Sequence, residues 1–459
     1  MSVIENDTLQ ARLRELAEAA GVPGASLAVF ADGRLRTATH GVLNVETGVE
    51  VTPESVFRIA SITKVYTATA IMRLVDAGRL DLDAPVVELL PELRLADADV
   101  TARVTARHLL THTSGISGDV MAEGGRGDDA LERFVAACAD VGQDVPLGTV
   151  VSYSNTGFSL LSRMIEKLTG SVWDVAMREL LFEPLGLRRT VVLPEDALRF
   201  RVSYGHDGEP GEPPSLYPVW SHDRAMAGGG SIIASAEDVI AFARLILDGG
   251  VAPDGTRLLS EAALAEMLRP QVAVAEHWLT GDHWGLGWQL HRWSGQDVWW
   301  HDGTLDGQYS WLRIVPERGV AIALLTNGGR VIDFANALYG ELLDELCGIA
   351  IDPWPQPRDG AVEPIAAELT GVYERHGVRT TVGERDGAPH ATVELIEPLR
   401  SKMGHVEPID VPIRPSDAGP EVYVGQLPQA GDTWLPMVFF ELRGERYVQF
   451  GARASRKVG

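Results

Sequence analysis

The run Phe57-Arg58-Ile59-Ala60-Ser61-Ile62-Thr63-Lys64, with the apolar stretch behind it, constrains this chain more than any other part of it. Val65, Ala68, Ile71, Met72 and Val75 recur at helical spacing, and Gly78 closes the pattern as a C′ glycine, so a buried helix is expected over 65–75. Ser61 then stands at the helix start, where unpaired N–H groups and the dipole favour negative charge. Lys64, one turn on, shares its face. A serine beside a lysine that can lose its proton is an activated nucleophile. Taken alone, the stretch fits equally an N-capping serine followed by a lysine whose amine snorkels to solvent.

Composition weighs on that choice. Lysine occurs only at 64, 167, 402 and 457, so nearly all the positive charge is arginine, and Ser61 is the one serine with a lysine three residues on. Arginine keeps its proton, whereas a lysine pKa of about 10.4 falls on burial. A lysine inside an apolar helix of an arginine-rich chain points to a position that needs a titratable amine. The net charge of −24 argues against nucleic acid or an anionic membrane surface as partner. Leu9, Leu13 and Leu16 space out an amphipathic helix and not a secretion signal, and Val320 to Leu325 is too short to span a bilayer. A cytoplasmic protein without a membrane partner is expected. Cys138 and Cys347 lie in apolar helical patterns and are expected as buried free thiols.

A length of 459 residues allows two or more domains. After the first helix, Gly24 to Phe30 is a strand turned by Ala31-Asp32-Gly33-Arg34 into a second. Helices are expected over Ala106–Leu110, Ala130–Asp140, Gly157–Thr169, 236–249 and Phe334–Leu346, with loops over 117–129 and 202–227. Val298–Trp300, Tyr309–Val315 and Val320–Thr326 read as antiparallel strands, with Asp302 to Gly307 as one turn. The implied domain, 1–350, is α/β (α+β), an antiparallel sheet flanked by helices and entered from both ends of the chain, with a helical subregion. Pro353, Pro355 and Pro357 mark a linker over 351–363. From 364 to 459 short alternating runs such as Val378–Val382, Val422–Val424 and Tyr447–Phe450 suggest a small antiparallel barrel.

A serine–lysine nucleophile needs a second proton carrier and a polarised hole for the oxyanion. Tyr153-Ser154-Asn155, the one Tyr-x-Asn in the chain, opens a helix behind an expected strand, Thr149–Val151. A tyrosine beside a lysine can be held partly as phenolate and shuttle the proton, and Asn155 can hold a substrate carbonyl or fix the lysine. His-Asp-Gly occurs at His206 and at His301. The first lies among glycines and prolines and is expected on a surface loop. The second ends a strand, with Gly303 bare enough for a substrate backbone to approach. His283 and His291 near the tryptophans carry no ligand spacing, and no metal or cofactor is expected.

Ser-x-x-Lys, then Tyr-x-Asn about ninety residues on, then His-x-Gly on a late strand resembles the serine β-lactamases and penicillin-binding proteins. The Tyr-Ser-Asn form is similar to class C β-lactamases and the related D-peptidases, D-aminopeptidases and SxxK esterases. Leu109–Ile116, Glu183–Leu187 and Ala227–Ser231 look familiar too, so the likeness covers roughly residues 8 to 348. The tail resembles lipocalin-like domains appended to some D-aminopeptidases and to penicillin-binding-protein-type thioesterases that cyclise peptides.

The resemblance implies Ser61 as nucleophile, Lys64 with Tyr153 as acid–base pair, Asn155, His301 and Gly303 as substrate-binding residues, and the N–H groups of Ser61 and Thr304 as oxyanion hole. Histidine at 301, where most β-lactamases carry lysine, is typical of the D-peptidase and hydrolase branches and weakens a β-lactamase reading. The expected activity is an acyl-enzyme hydrolase of small esters, amides or D-residue peptides. An acyltransferase of the same fold and a β-lactam or peptide sensor without turnover are the alternatives. Removing 360–459 is expected to leave a soluble catalytic domain with altered substrate choice.

Overall fold

The strands Gly24–Ala31 and Val320–Thr326 are apolar along nearly their whole length, a composition that asks for cover on both faces. In the computed structural model they lie side by side inside a nine-stranded antiparallel sheet, with Leu27 opposite Leu324. The structure describes residues 5–120, 124–208, 213–220, 223–360, 363–403, 406–427 and 433–459. Parts of the expected loops and linker, at 121–123, 209–212, 221–222 and 361–362, fall outside the described residues. Across the sheet the strands run Val49–Glu50, Arg34–Asn44, Gly24–Ala31, Val320–Thr326, Gln308–Val315, Gln296–Leu305, Gln289–Trp293, His283–Trp284 and Val272–Ala273. The sheet therefore closes only when both ends of the domain meet.

Alternation then assigns the two faces. Leu27, Val29, Ile322 and Leu324 face Leu9, Leu13, Leu338 and Leu342 of the helices Asn6–Ala19 and Val331–Cys347. Ala28, Ala321, Ala323 and Leu325 face the larger core, which holds the helix Ala236–Leu247 and the helical region inserted between the strands. The serine helix, Thr63–Asp76, runs through that core with Lys64 fully buried. Among the described residues no helix is long and apolar enough to cross a membrane. Cys138 and Cys347 are buried free thiols.

The tail closes into an eight-stranded barrel from Gly371 to Lys457, its first strand pairing with its last at Tyr373–Lys457. Tyr373, Val382, Val411, Tyr423, Met437 and Phe439 fill it. Its last hairpin packs against the preceding part of the chain: Tyr447 and Ala454 meet Val145, and the turn Gly451-Ala452 meets Tyr153.

Three local expectations change. Thr149–Val151 is not a strand; the N–H groups that follow it go to His112 O from Ser152 (2.9 Å) and to Ala452 O of the barrel from Tyr153 (3.0 Å). Asp302 to Leu305 continue the strand, because pairing runs unbroken from Trp299–Ile314 to Leu305–Gln308, and the turn is only Asp306-Gly307, both at positive φ. His206 is not on the surface. It is buried, accepts from Val45 N at Nε2 (3.1 Å) and bonds the Asn327 carbonyl through Nδ1 (2.8 Å).

Candidate active site

Ser61 sits in a 3₁₀ turn, Ala60–Ile62, that runs directly into the serine helix. Ala60 holds φ +45°, a costly conformation for a residue with a Cβ, and it turns the Ser61 side chain out of the core. Lys64, one turn on, is closed off from solvent while Ser61 stays half-buried.

The Lys64 Nζ has three partners: Ser61 Oγ at 3.1 Å, Asn155 Oδ1 at 2.8 Å and the Gly229 carbonyl at 2.5 Å. Burial, then the nearby Arg453 guanidinium, holds this amine well below its usual pKa. A neutral amine has two N–H bonds and one lone pair. Asn155 Oδ1 and Gly229 O can only accept, so the N–H bonds go to them and the lone pair faces the one partner that can donate, the Ser61 hydroxyl. A bare Gly228 makes the third contact possible: a Cβ there would lie 2.4 Å from Ser162 Oγ and 2.6 Å from Thr67 Oγ1, so the chain presses against both side chains.

Asn155 opens the helix Asn155–Thr169, but Ser154 caps it by accepting from Gly157 N (3.1 Å), which frees the Asn155 amide for the site. Asn155 Nδ2 donates to Asp119 Oδ1 (3.0 Å). Asp119 is gripped from the barrel: Arg453 Nη2 donates to Oδ1 at 2.7 Å, Arg453 Nε lies 2.7 Å from Oδ2, and Arg375 Nη1 lies 3.5 Å from Oδ2. Burial works to raise the Asp119 carboxyl, yet the two arginines hold it below its usual value, so it stays ionised.

The Tyr153 ring lies 4.8 Å from Lys64 Nζ and 5.2 Å from the Arg453 guanidinium. Burial pushes the phenol above its ordinary value, against the smaller pull of the Ser61 hydroxyl and Arg453. Burial thus favours the phenol at Tyr153 over the partial phenolate expected from sequence. His112 stacks on Tyr153 at 4.3 Å and accepts from Ser154 N at Nδ1 (2.9 Å), and Trp284 stands edge-on to His112, Tyr153 and His301.

His301 and Gly303 come from the strand Gln296–Leu305. His301 is buried, with its ring centroid 6.2 Å from that of Tyr153. Its Nδ1 bonds the Asp302 carbonyl at 2.6 Å; a carbonyl only accepts, so Nδ1 carries the proton and Nε2 offers a lone pair. Burial and then Lys64 pull its pKa down to about 3, so the ring is neutral and not a cation. Gly303 serves a purpose other than the expected one. A Cβ there would fall 2.4 Å from both the Ile59 carbonyl and Ser310 Oγ and 2.9 Å from Ser61 N, so its bareness admits the protein's own serine turn.

That approach sets Thr304 beside the serine. In a hairpin closed by a two-residue turn, the flanking pair Leu305–Gln308 exchanges hydrogen bonds and the next pair, Thr304–Tyr309, does not. The Thr304 N–H thus points away from the hairpin, beyond Trp300–Gln289, where pairing with the next strand stops. Sequence reasoning missed Asp119, Arg375, Arg453, His112 and Trp284. None stands in a local motif with the serine, and Arg453 lies 334 residues from Asp119 along the chain.

Known proteins resemble this chain. Residues 9–344 match the family model described as Beta-lactamase. The chain is 52% identical over 363 residues to "Penicillin-binding protein 4" of Amycolatopsis lactamdurans, covering 78% of this chain and 94% of that protein. It superposes on the crystal structure of SurE with a TM-score of 0.78 at 28% identity, covering 99% of each chain, and SurE has also been solved with D-Leu. A D-stereospecific amidohydrolase from Streptomyces sp. aligns with a TM-score of 0.59 at 28% identity, over 74% of this chain and 99% of that one. On its matched residues and the extent of these likenesses, the chain belongs to the Beta-lactamase family.

Proposed function

We propose that Ser61 forms an acyl-enzyme with small esters, amides or peptides carrying a D-configured residue, with Lys64 and Tyr153 as its acid–base pair. The chain is an enzyme of the serine hydrolase class; the residue roles and the substrate class are the proposal. The observation that carries it is the Lys64 amine, closed off from solvent, its pKa lowered by burial, with Ser61 Oγ the one of its three partners able to donate to it.

In the acylation step the Ser61 proton passes to Lys64 as Oγ bonds to the substrate carbonyl carbon, and the N–H groups of Ser61 and Thr304 bind the oxygen that gains charge. Tyr153 gives its proton to the leaving group and regains one from Lys64. Water, deprotonated along the reverse path, then releases the acid. Neutral His301, an acceptor at Nε2, suits a donor group on the substrate better than a carboxylate, consistent with amides and esters over β-lactams. The D-configuration is supported by the likeness to SurE, solved with D-Leu, and to the D-stereospecific amidohydrolase.

One observation favours a second reading, transfer of the acyl group to an amine. The barrel turn Gly451-Ala452 and Arg453 sit against Tyr153, where an acceptor must approach, so the barrel can contribute an acceptor pocket.

Intact mass after brief exposure to a nitrophenyl ester and, separately, to a penicillin tests the assignment, with Ser61→Ala alongside. An acyl adduct or ester turnover in the wild type and not in Ser61→Ala is expected. Turnover that survives Ser61→Ala would overturn the nucleophile. Faster release on adding amines selects transfer, and a penicillin adduct that persists selects the sensor.

A further inference from the structure

The strands Val272–Ala273 and His283–Trp284 form the outermost hairpin of the sheet, joined through the short helix His277–Thr280. Its Trp284 packs against the catalytic Tyr153 and His301, so whatever steadies the hairpin steadies the site. At its far end the fold gathers three side chains that sequence spacing does not connect. His277 Nδ1 lies 3.5 Å from Asp282 Oδ1, and His291 Nε2, from the neighbouring strand Gln289–Trp293, lies 4.0 Å from the same oxygen. All three atoms fall within 4.8 Å of one another.

The surroundings prepare each of them. The His291 ring is buried and stacked between Trp293 (4.5 Å, 25°) and Trp300 (5.4 Å, 3°), which fixes the direction of its Nε2. Asp282 spends its other oxygen, Oδ2, on Arg292 N (3.0 Å), an outer contact that leaves Oδ1 for the cluster. The Arg292 guanidinium is turned to Asp297 (2.6 Å), so it does not neutralise Asp282. The His277 carbonyl accepts from His291 Nε2 at 3.0 Å and is a fourth oxygen at hand for an ion that displaces that proton. His277 and Asp282 are both half-exposed, so these two side chains can move to close the excess over the roughly 3.3 Å ligand spacing of a tetrahedral ion with bonds of about 2.0–2.1 Å.

We infer that His277, Asp282 and His291 form a site for a divalent transition-metal ion, with zinc the best match, that clips the Trp284 hairpin to the sheet. Two imidazoles and one carboxylate suit zinc or cobalt over calcium or magnesium, which prefer all-oxygen shells. The ion takes the place of the Nε2 proton of His291 and turns the open end of the hairpin into a closed loop.

The test uses the full chain, free of any polyhistidine tag. Co²⁺ titration should give saturable visible absorption at one equivalent, quench tryptophan fluorescence through Trp278, Trp293 and Trp300, and be reversed by Zn²⁺. His277→Gln and Asp282→Asn, on half-exposed positions, should each weaken Co²⁺ binding at least 10-fold with unchanged circular dichroism. His283→Gln, an exposed neighbour outside the cluster, should bind as the wild type does. Zn²⁺ should raise the melting temperature of the wild type and not of Asp282→Asn. No saturable binding by the wild type, or binding equal in His277→Gln and Asp282→Asn, would overturn the site, and neither result would touch the assignment of Ser61.

Discussion

Lys64 shows how one side chain can be made a base by subtraction. Its surroundings remove water, supply two groups that only accept, and leave one hydroxyl that can give. Lys64→Arg preserves charge, but guanidinium cannot take the Ser61 proton, so acylation should fall by about 10³-fold or more in a folded protein. The burst of nitrophenolate and the intact mass check this. The pH dependence follows from signs. Acylation needs neutral Lys64, whose pKa is depressed, so kcat/KM should rise with pH through that lowered pKa and level off below the ordinary lysine range. His301, at about 3, is already neutral and adds no limb, so His301→Gln should lower the profile and leave its acidic limb in place. That Ser61, Lys64, Tyr153 and Asn155 gather in one place was legible because Ser61 and Lys64 lie one helical turn apart and Tyr153 stands two residues before Asn155, both short-range relations. Asp119 and Arg453 were not, since only the packed fold brings an acid from one loop to a guanidinium of the barrel.

Among the elements, the strand Gln296–Leu305 decides the site. Sequence placed a turn at Asp302, since Asp-Gly occurs at both 302–303 and 306–307 and either can turn a chain. The cross-strand ladder selects the second, and with it whether Gly303 meets the serine turn. Gly303→Ala sets a Cβ against the Ile59 carbonyl, a backbone atom that cannot swing aside. Such overpacking costs about 1–3 kcal/mol, so the melting temperature should drop by several degrees and acylation by more than about 10-fold, read by thermal unfolding and the nitrophenolate burst. The barrel was legible as a barrel through runs such as Tyr447–Phe450. Its strands Gly371–Arg375, Ile409–Ser416 and Arg453–Lys457 were hidden, since Glu374, Asp410, Arg414 and Arg456 break the apolar pattern that marks a strand.

At the scale of the molecule, the barrel reaches the centre of the chemistry. It supplies the acceptor for the Tyr153 N–H, the grip on Asp119, and apolar cover for Val145 and Val150. The expectation that removing 360–459 changes only substrate choice is therefore revised: truncation should abolish ester turnover and expose apolar surface, seen as aggregation in light scattering. Arg453→Ala, a gentler change, should lower kcat about 10–100-fold with a smaller effect on KM, because Asn155 loses its anchor; Arg453→Lys should restore part of it. The position of that barrel turn also sets a clock. During synthesis Ala25 waits for Thr326 before the sheet can close, and Tyr153 waits longer, for Ala452. A ribosome-bound or prematurely ended chain short of that turn carries the nucleophile without its finished surroundings. Such a chain lacks the Ala452 carbonyl that binds the Tyr153 N–H and the Arg453 grip on Asp119.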